Sequence, residues 1–170
     1  MGKKIWKLTL VIIGIGFIIK GVIMLIGDPV EKDLLDYVNN HVVKLTSTEG
    51  RILNSYSAVT GSNYINDKIL YGSLHDTIIP QYLAFIDTLK AVKPKTTEVQ
   101  NLHNRYISGA EIQLAGFQQA MNSVEKEDAA GVVLANGKLN EAKKIFTGFN
   151  SMLDSLAAEH DVKLVKNEKK

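Results

Sequence analysis

Residues 132–156 read VVLANGKLNEAKKIFTGFNSMLDSL, and this stretch decides the fold of the chain. Apolar residues recur in it alternately three and four positions apart, which is the spacing of one face of an α-helix. We call such an apolar stripe a seam, and this one consists of Val132, Ala135, Leu139, Ala142, Phe146, Phe149, Leu153 and Leu156. Because it continues unbroken for more than three heptads, it predicts one long amphipathic helix.

Three similar seams precede this one. They contain Leu35, Val38, Val42, Leu45, Ile52, Tyr56 and Val59 in the first, Tyr71, Ile78, Tyr82, Phe85, Leu89 and Val92 in the second, and Ile107, Ala110, Leu114, Phe117, Met121 and Val124 in the third. Polar or helix-breaking residues separate the four seams at positions 61–63, 93–94 and 127–128. No stretch shows the sustained two-residue alternation of a half-buried strand. The sequence therefore predicts an all-α, antiparallel, up-down four-helix bundle.

The most apolar segment of the chain lies before these seams, at residues 5–26, IWKLTLVIIGIGFIIKGVIMLI. As a helix it would span about 33 Å at ~1.5 Å per residue, which matches a bilayer core of about 30 Å. Lys20 costs roughly 2.5–3.5 kcal/mol near the bilayer centre, but its long side chain can reach towards the interface. Because 14 Leu, Ile, Val and Phe residues outweigh that cost, the segment predicts one N-terminal transmembrane helix.

The charges on either side of this segment predict its orientation. Lys3, Lys4 and Lys7 come before most of it, whereas acidic residues dominate the stretch directly after it. Positive flanks stay in the cytoplasm, so we expect a single-pass plasma-membrane protein with a cytoplasmic N-terminus and an extracytoplasmic remainder. A cleaved signal peptide with its apolar region at 8–19 is the alternative, although no A-x-A-like cleavage site follows.

Asp28 and Pro29 predict the junction between this anchor and the bundle, because Asp is a favoured N-cap and Pro suits the first turn of a helix. The expected organisation is a signal-anchor or transmembrane helix at 1–27, an extracytoplasmic helical bundle at 28–165 and a charged flexible tail at 166–170.

The charge of the bundle argues against nucleic-acid binding. The whole chain has 20 basic and 18 acidic residues, a formal net charge of +2. Four of the basic residues (Lys3, Lys4, Lys7 and Lys20) belong to the N-terminal segment, which leaves 16 basic against 18 acidic residues after it. A mildly acidic, arginine-poor domain lacks the basic surface that nucleic acids require, so we expect no nucleic-acid partner.

The sequence contains no motif that carries a known chemistry. It has no cysteine, which excludes disulfides, thiolate metal sites and covalent haem attachment. It also lacks the G-x-S-x-G of hydrolases, a phosphate-binding loop outside the N-terminal segment and the Glu-x-x-His pairs of di-metal bundles. We therefore expect no enzyme activity, no catalytic or metal-binding residues and no cofactor.

Three polar residues near seam positions define a candidate polar layer: Glu49 of the first predicted helix, His75 of the second and Gln113 of the third. Counted from the turns of an antiparallel bundle, they lie at about the same depth. Burying an unpaired carboxylate costs several kcal/mol, so Glu49 needs His75 or another partner if it lies inside. The layer is compatible with a site for a proton, a metal or a small ligand. The alternative is a structural network, or side chains exposed just beside the seam.

A candidate interaction face lies on the third predicted helix, where His103, Arg105 and Tyr106 combine imidazole, basic and aromatic groups. Tyr and Arg are enriched in interface cores, although an ordinary exposed helix face has the same composition. The hypothesis that follows is a membrane-anchored interaction or accessory module at the cell envelope, with the lipid bilayer and a protein as its partners. A ligand-binding or sensing bundle that uses the polar layer is the alternative. An enzyme would need a cleft that the sequence does not show.

Overall fold

Four helices make up the part of the chain that the computed structural model describes, residues 27–165. The predicted all-α class is confirmed. Helix α1 spans 29–57, α2 spans 67–91, α3 is Thr97–Glu125 and α4 is Ala129–Glu159. Helix α1 consists of α-helical Pro29–Asp36, a π-helical turn at Tyr37–Val42 and α-helical Val43–Ser57, and α2 consists of Asp67–Ser73, a π-helical turn at Leu74–Ile78 and Ile79–Ala91. A 3₁₀ turn at Gly61–Asn63 lies between α1 and α2.

No helix within residues 27–165 is both long enough and apolar enough to cross a membrane. The predicted transmembrane helix, signal anchor and single-pass plasma-membrane location are therefore wrong by this finding. The fold class of the described residues is an all-α four-helix bundle. The helices of the bundle place most of their apolar residues on an inner face. In α4, for example, Lys143 and Lys144 are exposed beside the buried Ala142 and Phe146. The predicted span at 5–26 and the predicted tail at 166–170 lie outside the described residues.

The two ends of the described chain meet at one end of the bundle. Asp28 caps α1 as predicted, because its Oδ1 accepts a hydrogen bond of 2.9 Å from the backbone N–H of Val30, with Pro29 in the first turn. The other carboxylate oxygen of Asp28 lies 2.5 Å from Nδ1 of His160, directly after α4. This contact between the start of α1 and the end of α4 is what an up-down-up-down arrangement requires.

Asp33 of α1 fixes the start of α3. Its Oδ2 accepts hydrogen bonds from the backbone N–H of Lys95 at 2.8 Å, from the backbone N–H of Thr96 at 2.7 Å and from the Thr96 hydroxyl at 2.8 Å. A carboxylate at the N-terminus of a helix satisfies unpaired N–H groups and complements the helix dipole. The side chain of Asp33 is buried, so this one residue sets how α3 enters the bundle.

Helices α3 and α4 share the most extensive contact of the helices in residues 27–165, and glycines permit it. A Cβ added at Gly109 would lie 2.5 Å from Cε1 of Phe146, and one added at Gly116 would lie 2.7 Å from Cδ2 of Leu139. The side chains of α4 therefore press directly against the backbone of α3. This close packing holds the inner face of α3 in place opposite α1 and α2.

Candidate functional site

A buried carboxyl group connects three of the four helices. Glu49 of α1 has only 1% of its surface exposed. The hydroxyl of Tyr82 in α2 donates a hydrogen bond of 2.5 Å to Oε1 of Glu49, and the hydroxyl of Tyr106 in α3 donates one of 2.9 Å to Oε2. Each carboxyl oxygen therefore has a partner on a different helix, and the group links α1, α2 and α3 inside the bundle.

Aromatic rings surround this carboxyl group. The ring centroid of Tyr82 lies 5.2 Å from that of Phe117, and the centroid of Tyr106 lies 5.0 Å from that of Phe149. These contacts place the two hydroxyls in an environment of low polarity. Within residues 27–165 no basic side chain lies within ion-pair distance of Glu49. Neutral hydroxyls, rather than a cation, thus balance the carboxyl group.

Burial changes the proton affinity of the site. It raises the pKa of Glu49 to about 7, against an ordinary value of 4.5, because the charged form loses its hydration. The hydrogen bonds from Tyr82 and Tyr106 act in the opposite direction and lower that pKa, since they favour the ionised form. Burial, together with the nearby carboxylate, also raises the pKa of both tyrosines well above the usual value.

The arrangement suits both protonation states of the carboxyl group. The ionised form accepts two hydrogen bonds, whereas the protonated form can donate one to a tyrosine oxygen and accept the other, because phenolic hydroxyls both donate and accept. Both protonation states therefore keep two hydrogen bonds between the carboxyl group and the tyrosines, which is compatible with binding of a proton near neutral pH. The exchange of that proton is the chemistry that this geometry supports.

Of the predicted polar layer, the structure places Glu49 and Gln113 in the interior and His75 outside. Gln113 is 1% exposed, and neither polar atom of its side chain has a partner within residues 27–165. His75 is exposed, with Nδ1 2.6 Å from Oδ1 of Asp76 and its ring stacked on Tyr71 at 5.5 Å. It lies in the π-helical turn Leu74–Ile78. Because a π-helical turn has more residues per turn than an α-helix, Leu74 and Ile78 face the interior and His75 faces outward.

The residues of the predicted interaction face do not share one surface. His103 is buried, and its Nδ1 lies 3.1 Å from the hydroxyl of Tyr37. Burial lowers the pKa of His103, and electrostatic interactions with Lys93 and His41 lower it further. Tyr106 faces inward to Glu49, as described above. Arg105 alone is exposed, and it lies over α4 with its Nε donating a long bond of 3.4 Å to the carbonyl of Ile145.

Sequence reasoning missed Tyr82 and Tyr106 as the partners of Glu49. The sequence predicts a partner for Glu49 and offers His75 for that role, whereas Tyr82 is predicted as an apolar seam residue and Tyr106 as part of the interaction face. A usable signal exists in the sequence, because a buried tyrosine hydroxyl usually has a hydrogen-bond partner. Tyr82 in the second seam and Tyr106, directly before the first residue of the third seam, therefore favour a buried acceptor such as Glu49.

Comparisons with known proteins add nothing to this geometry, since no family model, no curated protein and no solved structure matches the chain. In the described part of the chain, no group of three or more His, Asp or Glu side chains is placed to hold a metal ion. The buried carboxyl group and its two hydroxyls are therefore the site from which function is inferred.

Proposed function

We propose that the chain is a proton-responsive helical bundle, a sensing module in which Glu49 binds and releases a proton near neutral pH. The observation that carries this proposal is the hydrogen-bonded position of Glu49 between Tyr82 and Tyr106, buried and without a basic partner. A purely structural carboxylate of this depth usually has a cation beside it, because an uncompensated buried charge is costly.

The stability of the bundle then depends on pH in a defined direction. The pKa of Glu49 is raised on folding, so the folded state holds its proton more tightly than the unfolded state does. The stabilisation is fully present below about pH 4.5 and is lost as the pH rises through about 7. The bundle is more stable in mild acid and less stable once Glu49 is ionised.

This change in stability is the signal that a partner could read. Ionisation places a negative charge at the point where α1, α2 and α3 meet, and it weakens the packing of the aromatic rings around that point. Local opening of helices is governed by small free-energy differences. A module that opens more readily above neutral pH exposes its inner surface to a ligand or to another protein more often as Glu49 becomes ionised.

Amide hydrogen exchange of the full chain tests the proposal. We expect the amides of α1 and α2 around Glu49 and Tyr82 to lose protection between about pH 6 and about pH 8, after correction for the intrinsic pH dependence of exchange, because the loss follows the ionisation of the buried carboxyl. Glu49→Gln stays neutral and should keep its protection. The matched control is Glu141→Gln, which removes an exposed carboxylate on α4 and should behave as the unmodified chain does. Equal loss of protection in Glu49→Gln and in the unmodified chain would contradict the proposal.

A protein-interaction module is the second candidate function, and an exposed apolar stripe on the first turns of α4 favours it. Val133 and Leu134 are 59% and 62% exposed. Ala130 and Gly137 are exposed on the same side of α4. Together with Val133 and Leu134 they follow the i, i+3, i+4, i+7 spacing of one helix face. Such a stripe suits an apolar helix of another protein, since contiguous apolar surface marks interaction sites.

Crosslinking in intact cells tests this second candidate. Leu134→Glu should abolish a crosslinked partner, because a charge on the stripe opposes burial against an apolar surface. The matched control is Leu83→Glu, which places the same charge at an exposed leucine of α2 away from the stripe and should retain the partner. A partner retained by both variants would exclude the α4 stripe as the docking surface.

A further inference from the structure

A groove of about 370 Å³ runs along the outside of the bundle between α1 and α2. Its floor includes the buried side chains of Ile52 and Phe85. Its polar lining residues are Thr48, Arg51, Gln81 and Thr88. An apolar floor with a few polar groups beside it is typical of small-molecule sites, and the volume lies at the low end of their range of about 300–1,000 Å³.

Arg51 is the charged residue of this groove, and its side chain is held in place by its own helix. Its Nη1 donates a hydrogen bond of 3.4 Å to Oγ of Ser47, and its Nη2 donates one of 3.2 Å to Oγ1 of Thr48. No carboxylate lies within ion-pair distance of the guanidinium in residues 27–165. Since a guanidinium carries five N–H donors, three of them remain for a ligand.

We propose that this groove binds a small organic carboxylate with an apolar body. The planar guanidinium of Arg51 matches a carboxylate in a bidentate pair, while the body of the ligand lies on Ile52 and Phe85. A single negative charge fits better than a phosphate dianion, because among residues 27–165 Arg51 is the one charged side chain that lines the groove. The exposed amide of Gln81 is placed on the opposite helix to hydrogen-bond the ligand.

The groove is separate from the buried carboxyl group but close to it. Phe85, on the groove floor, has its ring centroid 5.2 Å from that of Tyr82, which donates to Glu49. Glu49 itself does not line the groove. The proposal for the groove therefore stands independently of the proton-responsive function, and Glu49→Gln should bind the same carboxylate as the unmodified chain at about pH 6, where both side chains are neutral.

Titration of the full chain with benzoate, followed by the backbone amide resonances of α1 and α2, tests the proposal. We expect shifts confined to residues around Arg51 and Phe85, with saturation at millimolar benzoate. Benzamide has the same ring without the charge and should bind at least about tenfold more weakly, a difference of about 1.4 kcal/mol. Equal binding of the two compounds, or the absence of shifts up to about 10 mM benzoate, overturns the proposal.

Variants of exposed residues provide the controls, because they leave the core intact. Arg51→Gln should weaken benzoate binding at least about tenfold, and Arg51→Lys should bind with intermediate affinity because lysine lacks the planar fork. Lys44→Gln removes an exposed cation of the same helix that does not line the groove, so it should leave the affinity unchanged. Similar losses in Arg51→Gln and Lys44→Gln would show a general charge effect and would contradict the assigned site.

Discussion

Replacing Glu49 with glutamine should remove one component of the pH dependence of stability. Glutamine has the shape of the protonated carboxyl group and can still bond to Tyr82 and Tyr106, but it has no proton to lose. The unmodified chain should become less stable relative to Glu49→Gln as the pH rises. The sign follows from the raised pKa of the folded state, because the unfolded chain releases the proton at lower pH than the folded chain does.

The size of the effect follows from the shift in proton affinity. Burial raises the pKa of Glu49 from 4.5 to about 7, and each pKa unit corresponds to about 1.4 kcal/mol. Between pH 4.5 and about pH 8 the stability difference between the two proteins should therefore change by about 3 kcal/mol in favour of the glutamine variant. That is a large fraction of the roughly 5–15 kcal/mol that stabilises a typical domain.

Urea unfolding at a series of pH values, followed by circular dichroism, measures this change. With a slope of about 2 kcal/mol per M, the midpoint of the unmodified chain should fall by about 1.5 M relative to the variant over this pH range. The comparison between two proteins cancels the titration of all other groups. A constant difference in unfolding free energy across the range would refute the reasoning, since it would mean that folding leaves the pKa of Glu49 unchanged.

Three further predictions concern the residues that hold the site in place. Tyr106→Phe removes one donor to the buried carboxylate, so it should destabilise the chain more at about pH 8 than at about pH 5, with a loss of about 1–3 kcal/mol in the ionised state, measured by urea unfolding at both pH values. Gly109→Ala should lower the unfolding free energy by about 1–3 kcal/mol, because its Cβ overlaps the ring of Phe146. Gly50→Ala should instead raise it by about 0.5–1 kcal/mol, because a Cβ there meets nothing within 4 Å. Thermal unfolding compares the two variants, and equal effects would contradict the packing account. Asp33→Ala removes three hydrogen bonds at the start of α3 and should lower the unfolding free energy by about 2–3 kcal/mol, and a loss below about 0.5 kcal/mol in urea unfolding would show that α3 needs no cap from α1.

The four helices could be predicted from the sequence because their signal is periodic and local. Seam residues such as Leu139 and Phe146 recur at helix spacing over many turns, and breaks near Gly61 and Pro94 mark the connections. The cap at Asp28 was predictable for the same reason, since capping involves neighbours in sequence.

Which side chains form the site depends on the register and packing of the helices, and counting residues along the chain does not give either. His75 was placed inside by counting helical turns, but the π-helical turn in α2 changes the register by one residue and exposes it. The enrichment of Tyr and Arg in interface cores predicts Tyr106 on an interaction face, but Tyr106 is buried whereas Arg105 is exposed. Hydrogen bonds between distant helices, such as that between Tyr106 and Glu49, follow from packing angles that no local pattern specifies.

The most direct test of the central claim is the titration of Glu49 itself. Carbon NMR of the full chain labelled with ¹³C at glutamate side-chain carboxyls, with Glu49→Gln used to assign the resonance, gives its midpoint without reference to stability. We predict a midpoint of about 7 for Glu49. A midpoint near the ordinary glutamate value of 4.5 would contradict the proton-responsive function, since the buried carboxyl would then be ionised throughout the neutral pH range.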